Sequence, residues 1–169
     1  MNPLFDQLFA KNHGSKIFLS FSDLGTTLTY DEFLNEIKCT ANCLKKFGLK
    51  KGDCLVLQIE KSHHVFTIYG ACVQLGIIFI PLNTSYTGFE VEYFLNDSEC
   101  KVFITTSEML KELDSLGKNR SFNIETIDAD YKGSFFSNFN ENEPLDFICL
   151  LYTSPSPRDL STSRMPSSA

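Results

Sequence analysis

Residues 54–82 read CLVLQIEKSHHVFTIYGACVQLGIIFIPL, and the fold turns on how this stretch divides. Cys54 to Ile59 is a short apolar run without alternation, the mark of a strand buried on both faces. Ile77 to Leu82 repeats that character, with β-branched residues bunched after Gly76. A helix capped by Ser62 and ended by Gly76 fits between them, so the stretch is a strand, helix, strand unit. Pro81, which has no N–H to give a sheet, predicts that the second strand leaves the sheet near its end. Val65 to Leu82 is uncharged over eighteen residues and so approaches the length of a membrane span. Gly70, Gln74 and Gly76 lie inside it, and a buried helix followed by a buried strand accounts for it better.

The same alternation extends in both directions. Upstream, Lys16 to Phe21 reads as a strand, and Thr29-Tyr30-Asp31-Glu32 is a capping box, in which the Thr hydroxyl and the Glu carboxylate satisfy free amides at a helix start. The helix should run from Tyr30 to Phe47, because Phe33, Leu34, Ile37, Ala41, Leu44 and Phe47 recur at three and four as one buried stripe. Gly48 supplies a left-handed end. Lys50 to Asp53 is a turn. Downstream of the loop Asn83 to Tyr86, Thr87-Gly88-Phe89-Glu90 repeats the capping pattern and opens a short helix to Asn96. A strand at Lys101 to Thr105, a helix at Ser107 to Leu116 and a strand at Asn123 to Ile127 follow. Lys132 to Glu143 is polar and reads as a surface loop leading to a strand at Phe147 to Leu151. Apolar strands alternating with helices at this spacing define an α/β fold: a mainly parallel sheet with helices on both faces.

Composition narrows the function. The chain has 169 residues, 43% hydrophobic and 21% charged, enough apolar material for one sizeable core. Its net charge of −6 is spread along the chain without a basic cluster, which argues against a nucleic-acid partner. The start, Met1 to Asp6, has neither the basic-then-apolar pattern of a secretory signal nor the character of a transit peptide, so the expected location is cytoplasmic, with no membrane span. Six cysteines sit at irregular spacings, mostly in apolar runs, and are expected as reduced thiols. Cys39 and Cys43 share a helix face and His63-His64 lies nearby, yet there is no CxxC pair and no His at ligand spacing on the same element, so no metal site is expected. The two histidines are read as helix-face residues.

Asp146 to Ser154 is an apolar strand ending in Tyr152-Thr153-Ser154, and ends of this kind carry ligand loops in α/β sheets. Together with Leu49 to Val56, Gly70 to Gly76 and Pro81-Leu82-Asn83, it makes residues 1–154 resemble the start of the AMP-forming adenylating family, the acyl-CoA synthetases and their relatives. The resemblance places Thr153 and Ser154 at the opening of that family's Ser/Thr/Gly-rich phosphate loop, where they would meet the phosphates of ATP. Within the family the chain is most similar to the malonyl-CoA synthetase subgroup. Asn2 to Phe5 with Leu8-Phe9, Glu60-Lys61-Ser62, Pro81 to Thr87, and Tyr93-Phe94 with Asp97 carry this likeness. The resemblance implies that the parent joins a small carboxylate to coenzyme A through an acyl-adenylate, using ATP and Mg²⁺.

After Ser154 the family pattern stops. Pro155-Ser156-Pro157-Arg158 stands where glycines and a lysine are expected, and proline offers a phosphate no amide hydrogen. Residues 155–169 hold three of the six prolines and five serines, with little to pack. The expected organisation is therefore a partial N-terminal AMP-binding domain over 1–154 and a disordered tail over 155–169, read as non-native, like translated adapter or vector sequence, with a real tail on a shortened protein as the alternative. On this reading the chain is an inactive fragment of a carboxylate:CoA ligase, with no catalytic residue of its own, and it is prone to aggregate where packing partners are missing. The competing reading is a free-standing α/β binding or interaction module without catalysis.

Overall fold

A computed structural model of the chain describes residues 3–10, 14–21, 26–113, 121–128 and 132–138. It opens with a helical turn, α1 (Pro3–Phe5), that continues as a π-helical turn over Asp6–Ala10. The strands β1 (Ile17–Phe21) and β2 (Thr26–Thr29) then pair antiparallel, with a register shift between Ile17 and Leu19. β2 has no counterpart in the sequence reading. It runs straight into α2 (Tyr30–Lys46), so Thr29 is both the last strand residue and the helix cap.

Both halves of the capping box at Thr29 are made. The Glu32 amide donates to Thr29 Oγ1 at 3.3 Å, and the Thr29 amide donates to Glu32 Oε2 at 2.8 Å. On α2, Phe33, Ile37, Ala41 and Leu44 are buried, and Leu34 and Phe47 pack partly buried against them. Phe47 is the C-cap, and Gly48 follows at φ +83°, a left-handed position that glycine adopts without strain. Phe18 of the hairpin stacks on Phe33 at 4.2 Å and Phe9 lies 5.8 Å from it, which seats the N-terminal segments on this helix.

The main sheet is built from β3 (Cys54–Gln58), β4 (Ile78–Pro81), β5 (Val102–Thr105) and β6 (Asn123–Thr126), all parallel, in the order β4-β3-β5-β6. The crossovers are α3 (His63–Leu75), α4 (Gly88–Asp97) and α5 (Ser107–Glu112). Alternate strand residues face opposite layers. Leu55, Leu57, Val102 and Ile104 join α2 and α3 in the larger core. Val56 and Phe103 join Val91 and Leu95 of α4, and Leu113, in the smaller one. Helices cover both faces, as the apolar runs required.

Three expectations are corrected. β4 is not a buried strand: among the described residues it is an edge of the sheet, and Ile78 is 50% exposed. Ser62 occupies the N-cap of α3, but its hydroxyl makes no cap hydrogen bond. Lys132 to Glu143 is not simply a polar loop: Phe135–Asn138 form a 3₁₀ turn that places Phe135, 2% exposed, in the larger core. The strand expected at Phe147 to Leu151 lies outside the described residues, as do 114–116 of the helix expected to reach Leu116.

Candidate functional site at the carboxyl end of the sheet

Parallel α/β sheets bind ligands beyond the carboxyl ends of their strands. Here the last residues of β3, β5 and β6 are polar and stand in one row, since Gln58 is in register with Thr105 and Thr105 with Thr126. All three are buried. They share a face with Val56 and Phe103, the face that α4 and α5 cover.

Neighbouring loops are tied to this row. Gln58 donates from Nε2 to the Asn83 carbonyl at 3.0 Å, and the Leu82 amide donates to the Leu57 carbonyl at 2.7 Å. Asn83 Oδ1 in turn accepts from the Ser85 amide at 2.9 Å, shaping the loop into the second capping box. There the Thr87 amide donates to Glu90 Oε2 at 2.8 Å, and bonds from the Thr87 amide and hydroxyl hold the Glu90 carboxyl below its ordinary range. Glu60-Lys61-Ser62 follows β3 and Pro81 to Thr87 spans the end of β4, and the Gln58–Asn83 bond ties the end of β3 to the second of these stretches.

At the β6 side, Ser107 donates from its amide and its hydroxyl to Asp128, at 2.8 and 2.5 Å. Thr126 and Ser134 exchange amide-to-hydroxyl bonds, both at 3.0 Å. Gly133 makes this possible. It sits at φ +106°, and a Cβ there would collide with the Thr126 carbonyl.

Gln58 Oε1 and Thr105 Oγ1 are buried, with no hydrogen-bond partner among the described residues. The row does not stand out in the sequence because Gln58 and Thr105 merely end the apolar runs CLVLQ and VFIT, and Thr126 ends the mixed segment NIET. That shared polar ending is the signal that could have found it. Thr153 and Ser154, the expected phosphate-loop residues, lie outside the described residues.

The two histidines at the start of α3 form a separate cluster. Their rings are 3.9 Å apart, His63 Nε2 is 3.9 Å from Glu36 Oε2, and His64 packs on Phe136 at 5.1 Å. Burial pushes His64 down to about 4, so it is neutral at pH 7. Among the described residues no group of three or more His, Cys, Asp or Glu could hold a metal ion. None of the described helices is long and apolar enough to cross a membrane. None of the five described cysteines is in a disulfide, and Cys149 lies outside them.

A parallel sheet covered on both faces, with a polar carboxyl edge, defines an α/β unit of the class whose ligand sites lie at that edge. Its particular family follows from comparison: a model of the AMP-binding enzyme family matches residues 7–156, and the chain belongs to that family. The fold superimposes on apo MatB from Rhodopseudomonas palustris with a TM-score of 0.74 and 29% identity, over 83% of this chain and 28% of that one. Feruloyl-CoA synthase from an Amycolatopsis species is 32% identical over 141 residues, 78% of this chain and 27% of the relative. Tyrocidine synthase 3 from Brevibacillus parabrevis is 25% identical over 130 residues, 77% of this chain and 2% of that protein. The chain thus spans well under a third of each of these proteins.

Proposed function

We propose that this chain is the N-terminal part of an ATP-dependent carboxylate:CoA ligase whose parent makes malonyl-CoA or a related short acyl-CoA. The observation that carries this reading is the likeness to MatB, which reaches 86% of the chain against the ATP-bound form at 29% identity. Residues 1–154 are the partial AMP-binding domain on this reading, and 155–169 a tail foreign to it. Thr153 and Ser154 open the phosphate loop, where hydroxyls and backbone amides would meet the β- and γ-phosphates of ATP. ATP would activate the acid as its adenylate and coenzyme A would take the acyl group. On this reading Mg²⁺ would be held by residues of the parent beyond the break at Ser154. The parent acts in the cytoplasm on a small carboxylate.

The test is to read the gene beyond codon 154 from independent DNA, express the longer protein and measure carboxylate-dependent AMP release with CoA. Malonate, methylmalonate and a longer fatty acid are the three substrates. We expect turnover with malonate or methylmalonate, and none from the 169-residue chain, which should elute as aggregate. No AMP release from the longer protein with any acid would overturn the reading. A monomeric 169-residue chain with a sharp thermal transition would favour the free-standing module.

A further inference from the structure

The outer side of α4 and the loop before it gather Tyr86, Phe89, Tyr93 and Phe94 around an open cleft of about 210 Å³, with Glu90 on its wall. Phe94 holds the arrangement together: it stacks on Tyr86 at 5.4 Å and meets Tyr93 edge-on at 5.6 Å. Phe89 is 81% exposed and Tyr93 59%. A single exposed ring needs no explanation, but several lining one cleft mark a contact surface.

The walls of the cleft select what fills it. From Tyr86 to Cys100 the chain has four acidic residues, Glu90, Glu92, Asp97 and Glu99, and no basic one. An anion would be repelled, and a second copy of the same face would set carboxylates against carboxylates. A wholly apolar occupant would strip water from the Glu90 carboxylate without replacing its bonds. Both bonds from Thr87 fall on Glu90 Oε2, which leaves Oε1 for another donor. They also keep the carboxyl ionised, below its usual range, and its charge offsets the positive start of the helix. Aromatic faces attract cations, and a planar guanidinium both stacks on rings and bonds a carboxylate. Small-molecule sites enclose most of their ligand, whereas this cleft is open-sided, so it suits a side chain delivered by a polypeptide better than a free cation.

We propose that this cleft docks an arginine side chain of a separate, basic partner polypeptide. The guanidinium lies on the exposed faces of Phe89 and Tyr93 and donates to Glu90 Oε1. None of these residues has a part in the ATP and acyl chemistry proposed above, and the cleft is complete within this chain. The inference therefore stands apart from the ligase reading.

Fluorescence anisotropy on the longer protein tests the cleft. The probe is a labelled peptide of alternating arginine and glycine, and its citrulline counterpart, alike in shape but neutral, is the control. Phe89→Leu keeps an apolar side chain without the ring, Phe89→Tyr keeps the ring, and Glu90→Gln removes the charge while still completing the capping box. We expect the arginine peptide to bind and the citrulline peptide not to. Phe89→Leu and Glu90→Gln should each weaken binding about threefold, with Phe89→Tyr near wild type and the melting temperatures unchanged. No binding by wild type, or equal affinity for wild type and Phe89→Leu, overturns the proposal, as does a crystal structure of the longer protein in which its own residues fill the cleft. Carboxylate-dependent AMP release by the same wild-type protein judges the ligase reading separately. Peptide binding without AMP release keeps this inference and loses the proposed function.

Discussion

Gly70 of α3 lies directly against Ile37 of α2: a Cβ built at Gly70 would stand 2.5 Å from Ile37 Cδ1 and 2.8 Å from Cγ1. The two helices therefore touch at bare backbone. Glycine inside a helix normally costs about 1 kcal/mol relative to alanine, so Gly70→Ala would stabilise an open helix. Here Ile37 is fully buried and stiff at its branched Cβ, so it has little room to yield. Overpacking wins, and we expect Gly70→Ala to destabilise the fold by about 1 to 3 kcal/mol. Urea unfolding reads this as a lower midpoint at unchanged slope.

The two capping boxes should contribute separately. Thr29→Ala and Thr87→Ala each remove a hydroxyl that accepts from a helix amide, at a cost of about 1 kcal/mol apiece. The two caps belong to different elements, so the double variant should show the sum. Bonds from the Thr29 amide and hydroxyl hold the Glu32 carboxyl below its usual range, and those of Thr87 do the same for Glu90. A depressed carboxyl stabilises the fold above its unfolded pKa, and this contribution is lost as pH falls through the folded value. In thermal melts of the four proteins, the gap between wild type and the variants should narrow from pH 7 to pH 3 without closing, because the hydroxyl-to-amide bonds remain.

Acid should also act through His64. Burial, and secondarily the charge of His63, lower it from 6.5 to about 4, so between those values the unfolded chain takes a proton that the folded one refuses. Stability is full above pH 6.5 and falls as pH drops toward 4. His63, lowered by burial, works in the same direction, and the Glu36 carboxylate beside it works against it. We expect a loss on the order of 2 kcal/mol across this window, allowing for the partial exposure of the ring. His64→Gln should flatten the melting temperature between pH 7 and 4; an unchanged slope would show that His64 is not the group responsible.

The thiols should differ sharply in reactivity. Burial raises Cys43 to about 12 and Cys100 to about 11, and it raises Cys72 as well. Cys54 is only partly buried, so it has the thiolate access the others lack. Alkylation of the native protein at pH 7.5, mapped by mass spectrometry, should label Cys54 at least tenfold faster than Cys43, Cys72 or Cys100. Equal rates for the four would show that the core is open.

The sequence disclosed what depends on near neighbours. Both capping boxes lie within four residues, the stripe on α2 repeats within a turn, and the strands at 54–58 and 102–105 stand out as apolar runs. What it hid depends on distant partners. β2 exists because it pairs with β1; the threonines of Thr26–Thr29 suit a strand, but four residues beside a turn do not stand out alone. Phe135 sits in a polar stretch, and only its packing against Phe47, at 5.7 Å, makes it core. Ile78 has the composition of a buried residue, and its exposure follows from β4 lying at an edge. The polar row is hidden for the same reason: Gln58, Thr105 and Thr126 are far apart in the chain and become neighbours only through strand register.

The strand order carries a consequence for synthesis. β3 is made first and lies inside the sheet, β4 joins one side of it, β5 joins the other, and β6 then adds to β5. Each new strand thus meets a finished neighbour as it leaves the ribosome: β4 and β6 pair one crossover back, and β5 pairs two crossovers back, on β3. Assembly can follow the direction of translation, with each loop closed as it emerges.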